Sequence, residues 1–356
     1  MICESTVVLS PEQSIQDENE PKSSIPLVVA IVNYRTAELT INCLRSLASE
    51  VQTLPGMQVV VVDNASNDGS VEKIAQAIQS EGWVEWATLH PSAINGGFSY
   101  GNNTAIRPFF ESDNPPPYYL LLNPDTEVRP NALKTLVDFM DQHSEVGIAG
   151  SGIEQEDGTL WPITFRFPSI WSELDGGLRL GIVSKLLSKW VVAQTMTDQA
   201  QQVDWLPGAS MMIRHEVFES IGFMDEEYFL YYEETDFCLQ AKRAGWSCWY
   251  VPQSRVMHIS GQSTGVTAKT DSPKRQPKYV FDSRRRYFVK NHGWLYAVLA
   301  DFVWLLGFIL WRSRQVIQQK PDVDPPHYLI DFVRNSVLVS TISGILYRSN
   351  QVSSTG

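Results

Sequence analysis

Gln58-Val59-Val60-Val61-Val62-Asp63-Asn64-Ala65-Ser66, residues 58–66, decides the fold: an unbroken apolar run that stops at a polar cluster. Such a run suits a strand covered on both faces, as in a parallel sheet layered between helices. Leu27 to Val32 is a second run of this kind, and it stops at Asn33-Tyr34. Between them Leu39, Cys43, Leu44 and Leu47 recur at helical spacing. Working outward, the pattern predicts a helix over 70–80, a strand over 84–89, a helix from about Gly101, a strand over 118–122 and a helix over 131–143. Strands alternating with helices imply parallel crossover units, so the first half reads as an open nucleotide-binding α/β sheet. Ligands of such sheets sit beyond the carboxyl ends of the strands. Asn33-Tyr34, Asp63-Asn64-Ala65-Ser66 and Asn123-Pro124-Asp125 would then line one edge, although each composition also suits an ordinary strand-ending turn.

From about Gly152 the alternation weakens, and Trp161-Pro162, Phe165 and Phe167 fall in a loop-rich region. Order returns at Trp205, with a strand over 211–213 and a short helix over 215–221. Tyr228-Phe229-Leu230-Tyr231-Tyr232 then precedes Glu233-Glu234-Thr235-Asp236, after which helical spacing runs towards Gly245. A strand over 246–251 leads to His258.

The 356 residues suffice for one large domain or two smaller ones, and 43% hydrophobic against 19% charged residues marks a globular protein. The formal net charge of -12, from 40 acidic and 28 basic residues, argues against a nucleic-acid partner, which would need clustered Lys and Arg. Cys3, Cys43, Cys238 and Cys248 form no C-x-x-C pair, so neither a zinc site nor a disulfide framework is expected, and a reducing compartment is the default. Residues 1–24 are rich in Ser, Glu, Gln and Pro without a basic then apolar pattern, and are expected to form a flexible leader.

Asn95-Gly96-Gly97-Phe98-Ser99-Tyr100-Gly101-Asn102-Asn103 spaces its glycines as G-G-x-x-x-G, which is not the dinucleotide fingerprint, and no P-loop is present. Gly97 would let backbone approach a ligand closely, and the Asn102 amide could hydrogen-bond sugar or phosphate; a tight turn alone would use the same residues. Asp125, at the end of an apolar strand, can give one carboxylate to a divalent cation that takes its other ligands from water and a diphosphate. His258 is a candidate second ligand, and a hydrogen-bonded structural role suits it equally. Glu233, Glu234 and Asp236 crowd three carboxylates into four residues, which raises at least one pKa and suits a general base. The same acids also suit a helix N-terminus.

In order and spacing these segments, together with Leu206-Pro207-Gly208-Ala209 and Gly222-Phe223-Met224-Asp225-Glu226, resemble glycosyltransferase family 2, in particular its bacterial rhamnosyltransferase-like branch. The resemblance runs from about Ile25 to Gln262. It implies an α/β GT-A nucleotide-diphospho-sugar transferase fold, with a mostly parallel central sheet, flanking helices and a helical C-terminal extension. It divides the chain into a transferase domain over 25–262, with a nucleotide-binding half (25–150) and an acceptor and catalytic half (151–262), and an extension over 263–356. It implies inverting transfer of a sugar, with rhamnose from dTDP-rhamnose as the first choice, onto a hydroxyl of a cell-surface or lipid-linked glycan. Galactofuranose, N-acetylglucosamine or glucose from UDP donors, or a non-catalytic binding protein on the same scaffold, remain alternatives. Matched residue by residue, Asn33, Tyr34, Asp63 and Asn64 lie beside the donor, Asn123 stands at the first position of a D-x-D-type motif, and Asp125 and His258 hold Mg or Mn. Glu234 matches the base, with Glu233 and Asp236 beside it; this chain departs from the family pattern, which holds Asp after Glu.

After His258 comes a basic stretch with Lys274, Arg275, Lys278, Arg284, Arg285, Arg286 and Lys290, then Trp294 to Trp311, apolar apart from Tyr296 and Asp301. Eighteen helical residues reach about 27 Å, short of the roughly 30 Å hydrocarbon core. Asp301 in mid-segment disfavours spanning, so a helix lying on a membrane and a buried subdomain helix are both open. The first implies a cytoplasmic chain held peripherally on the inner face of the cytoplasmic membrane.

Overall fold

The structure, a computed structural model, describes residues 25–259 and 273–342; the expected leader and part of the basic stretch lie outside the described residues. Its first half runs β1 (Leu27–Asn33), α1 (Ala37–Thr53), β2 (Gln58–Asp63), α2 (Ser70–Ser80), β3 (Ala87–Pro91), α3 (Gly97–Phe110), β4 (Tyr118–Leu122), β5 (Thr126–Val128), α4 (Ala132–Gln142) and β6 (Val146–Glu154). The second half adds α5 (Ile170–Leu178), α6 (Gly181–Leu186), β7 (Gln201–Val203), β8 (Ser210–Arg214), α7 (His215–Ile221), α8 (Glu233–Arg243) and β9 (Ser247–His258). The C-terminal extension supplies α9 (Lys278–His292), α10 (Trp294–Ile317) and α11 (Tyr328–Arg334).

One nine-stranded sheet, ordered β3-β2-β1-β4-β8-β6-β9-β5 with β7 beside β9, organises the molecule. Pairing is parallel through β3-β2-β1-β4 and between β6 and β9, and antiparallel at β8, β5 and β7, so the α/β sheet is mixed. Every residue of β4 and nearly every residue of β1 and β2 is buried, as the unbroken apolar runs require when helices cover both faces. Register then sets the ligand edge. Asn33 pairs with Asp63, and Ile31 pairs with Leu122, so both clusters and Asn123 emerge at one level. Antiparallel β8 starts from the same edge, because Ser210 pairs with Leu122 and the Asn123 amide donates to the Ala209 carbonyl at 3.1 Å.

Two boundaries move for local reasons. The strand expected over 84–89 begins at Ala87, because Trp83 and Trp86 close a turn in which the Ala87 amide donates to the Trp83 carbonyl at 2.8 Å. The helix expected from about Gly101 begins at Gly97, where Asn95 Oδ1 accepts the Gly97 amide at 3.1 Å. Strand β6 gave no apolar alternation because its glycines do packing work. A Cβ on Gly147 would lie 2.7 Å from Trp246 and Val217 side chains, and one on Gly150 would lie 2.7 Å from Leu206.

Candidate active site

A cavity of about 690 Å³ opens at this sheet edge, within the range of small-molecule sites. Tyr34, Asn64, Gly97, Asn123, Asp125, Glu233, Glu234 and His258 all line it. The family motifs, scattered over two halves of the sequence, therefore converge on one volume.

The strand ends are rigid. Asn33 Nδ2 donates to Asp63 Oδ1 at 2.6 Å, and Asn33 Oδ1 accepts from the hydroxyls of Thr36 and Thr40 at 3.0 and 2.9 Å. The Ser66 hydroxyl and amide donate to the two Asp63 oxygens at 2.6 and 3.0 Å. Asn33 and Asp63 are thus spent on locking β1 to β2, and neither lines the cavity, whereas donor contact is expected of both from sequence. Asn64 does face it: its Nδ2 donates to the Gly97 carbonyl at 2.9 Å, and its buried Oδ1 has no protein partner. Gly97 has φ +88°, and a Cβ there would sit 2.0 Å from the Phe229 carbonyl oxygen, so only glycine lets helix α3 start against the opposite wall. Asn102 stands apart. It lies one turn inside α3, buried, with Nδ2 donating to the Phe98 carbonyl at 2.9 Å, and it is absent from the cavity wall.

The opposite wall is the start of α8. Tyr231 and Tyr232 both take left-handed backbone angles, φ 69° and 67°, a conformation that costs an L-residue about 1 kcal/mol or more. That double turn delivers Glu233 and Glu234 into the cavity. Burial raises the Glu233 carboxyl well above the usual carboxylate range, and the adjacent Glu234 charge adds to it. Burial also raises Glu234, against which the Gly208 amide donates. One oxygen of each, Oε2, is buried without a hydrogen-bond partner. Unpartnered buried acceptors are rare in folded proteins, and three in one cavity, counting Asn64 Oδ1, mark a place built for a hydrogen-bonding ligand.

Asp236, the third acid, differs. Its carboxylate accepts from Lys290 Nζ and Asn291 Nδ2, both at 2.6 Å, and it does not line the cavity. Its helical position, two residues beyond Glu234, turns it towards α9 instead. Helix α9 underlies the loop that leads into α8: Arg286 and Lys290 hold Asp225 at 2.7 Å, and the Ser283 hydroxyl donates to the Leu230 carbonyl at 2.9 Å. Tyr279 from α9 reaches the cavity wall itself, 5.3 Å centroid to centroid from Phe229. Nothing in a basic stretch signals that aromatic.

Burial would raise the Asp225 carboxyl, but hydrogen bonds from Lys290 and Arg286 outweigh it and hold it below the usual carboxylate value. A carboxylate held low contributes stability above its unfolded pKa that disappears as pH falls through its folded one. Lys290→Met is therefore expected to cost about 1 to 3 kcal/mol near neutral pH, discounted because the lysine is 35% exposed, with the penalty shrinking in acid. Thermal melts of both proteins at neutral and acid pH check this; an equal penalty at both would refute it.

Asp125 and His258 meet because Thr126 pairs with His258 across β5 and β9. His258 Nε2 lies 3.1 Å from Asp125 Oδ1, with Asn123 Nδ2 3.2 Å from the same nitrogen. No group of three metal-ligating side chains occurs among the described residues. A carboxylate and an imidazole alone still fit an ion that completes its shell with water and diphosphate oxygens. Asp125, Glu233 and Glu234 face the cavity, and among the described residues no Lys or Arg lines it, so a cation there would offset the charge of an anionic ligand.

The architecture is similar to that of a mannosyltransferase from Pyrobaculum calidifontis solved with GDP-mannose and Mn2+, with TM-score 0.50 and 14% identity over 94% of this chain and 85% of that one. That likeness defines a GT-A fold, whose relatives bind Mn2+ with a nucleotide sugar. In sequence the chain is 26% identical to an N-acetylglucosaminyl-diphospho-decaprenol L-rhamnosyltransferase of Mycobacterium tuberculosis, over 82% of this chain and 93% of the relative. It is 24% identical to a dTDP-rhamnosyl transferase of Shigella flexneri, over 79% and 86%. The profile of glycosyltransferase like family 2 matches residues 25–272. The chain belongs to glycosyltransferase family 2 and is an enzyme that transfers a sugar from a nucleotide-sugar donor.

Proposed function

We propose that the enzyme transfers rhamnose, with inversion, from dTDP-rhamnose to a hydroxyl of a lipid-linked glycan. The observation that carries the chemistry is the pairing of Glu233 and Glu234, each with an unpartnered buried oxygen, with Asp125 and His258 in one cavity. The rhamnosyl donor rests on the names of the two relatives, and the lipid-linked acceptor on that of the mycobacterial one. The reading includes peripheral attachment to the inner face of the cytoplasmic membrane.

The donor lies against the strand ends, with Asn64 Oδ1 available to it. A divalent cation held by Asp125 and His258 would offset the charge that grows on the departing diphosphate. Glu234 takes the proton of the acceptor hydroxyl as that oxygen bonds the anomeric carbon and the carbon–diphosphate bond breaks. Attack opposite the leaving group inverts the centre in one displacement. Glu233 is buried beside it, and repulsion between two carboxylates so placed favours a shared proton over a second charge. Trp161, Ile163, Phe165 and Tyr279 wall the cavity with apolar surface that excludes bulk water.

A thermal-shift panel of dTDP-rhamnose, UDP-glucose, UDP-N-acetylglucosamine and UDP-galactofuranose, each with and without manganese, tests the donor. At about 100 times Kd a bound donor stabilises by about 2.7 kcal/mol. A manganese-dependent shift is expected for dTDP-rhamnose alone; a shift selective for a UDP-sugar would replace it.

A further inference from the structure

An exposed apolar face lies outside this chemistry. Helix α10 has 24 residues and is long and apolar enough to cross a membrane. Its inward face is keyed to the domain. Asp301, the one charged residue between Trp294 and Trp311, accepts from Arg284, which also holds Glu173 of α5, and from the Val337 amide at 2.7 Å. Gly177 and Gly307 let α5 and α10 touch backbone to backbone; a Cβ on Gly177 would lie 2.6 Å from the Trp304 carbonyl oxygen. The outward face is bare: Leu299, Phe302, Leu306 and Leu310 are 48%, 60%, 46% and 51% exposed.

A second apolar element adjoins it. The chain leaves the cavity wall after Phe165, forms α5 and α6, and returns where the Arg166 amide donates to the Val192 carbonyl at 2.7 Å. On this excursion Ile182 and Leu186 are 66% and 75% exposed, and the exposed rings of Trp171 and Trp190 lie 5.8 Å apart. Arg314 of α10 ties the two elements together by donating to the Leu178 and Arg179 carbonyls at 2.9 and 2.8 Å. Around them Lys185, Lys189, Arg314 and Lys320 have no acid partner among the described residues, in a chain whose net charge is -12.

We propose that α6, Trp190 and the outward stripe of α10 form one surface that rests on an anionic lipid bilayer, with α10 lying in the interface plane. The proposal rests on the lipid-linked acceptor proposed above and names the face that meets the lipid. Leu, Ile, Phe and Trp beside unpaired cations are what an anionic interface takes up. A second copy of the chain fits worse, because a two-fold contact would set the same four cations against themselves. Because the excursion is rooted in the segment that carries Ile163 and Phe165, both on the cavity wall, docking sets the cavity mouth beside the membrane surface.

The test is sedimentation of the full chain with vesicles of phosphatidylcholine, alone or mixed with phosphatidylglycerol, and with neither donor nor acceptor present. Binding to the anionic vesicles, weakened by salt, is expected, and Leu186→Glu and Phe302→Glu should each lower partitioning about tenfold or more. Both sites are exposed, so both variants should keep the parent melting temperature and its donor-induced shift. No vesicle binding, equal binding by the variants, or a solution dimer that Phe302→Glu dissolves would overturn the proposal. Donor shifts on the same samples separate the two readings: vesicle binding lost with donor binding retained sinks the surface, and the reverse sinks the transferase assignment of the cavity.

Discussion

Glu234→Gln is expected to keep donor affinity and to lower transfer by about 10²- to 10⁴-fold. The substitution preserves shape and the acceptor for the Gly208 amide while removing the group that receives the proton. Its effect should therefore fall on kcat, leaving the donor Kd and the melting temperature near the parent values. The pH profile gives a second signature. A base must be ionised, and burial raises this carboxyl, so parent activity should fall with decreasing pH at a point above the usual carboxylate range. The stability sign is opposite: carboxyls raised by folding favour the native state below their unfolded pKa, and that contribution fades as pH rises through the folded values. Activity and stability should thus part company in mild acid. Near-normal turnover by Glu234→Gln, together with collapse in Glu233→Gln, would move the base one residue back.

Asp125→Ala should abolish the manganese-dependent part of donor binding and lower transfer about a hundredfold or more. The carboxylate sits where β4 ends, 3.1 Å from His258 on β9, and no cationic side chain among the described residues lines the cavity to replace what it organises. His258→Ala should act in the same direction but less, because the carboxylate carries the charge. Donor-induced thermal shifts with and without manganese separate this from a folding defect: the variant should retain its melting temperature without ligand. An unchanged manganese response would show that Asp125 is an ordinary strand-end acid bonded to histidine.

Apolar continuity made the nucleotide-binding half legible, because β1, β2 and β4 are buried on both faces and their polar exits fall in register. Strand β6 escaped because its glycines serve neighbours distant in sequence, Trp246 and Leu206, and glycine weakens the pattern that marks a strand. The same division holds at the site. Asn64, Gly97, Asp125, Glu233, Glu234 and His258 were recoverable from motifs and do share the cavity. Asn102 and Asp236 stand in the same motifs but face the other way, since helical rotation decides which members of a run of polar residues reach a ligand. Tyr279 was invisible, being supplied by a stretch of the extension that reads only as basic. Residues 294–311 read as either membrane-facing or buried; in the structure one face of α10 is buried and the other exposed.

Asn64 and Tyr279 bound the same cavity from positions far apart in sequence. During synthesis the parallel half can pair its strands early, yet Glu234, His258 and Tyr279 emerge from the ribosome only later. Nonlocal closure of this kind is slow. The nucleotide-binding strands can therefore be paired while the cavity still lacks Tyr279 and the α9 contacts to Asp225, Leu230 and Asp236 that brace its opposite wall.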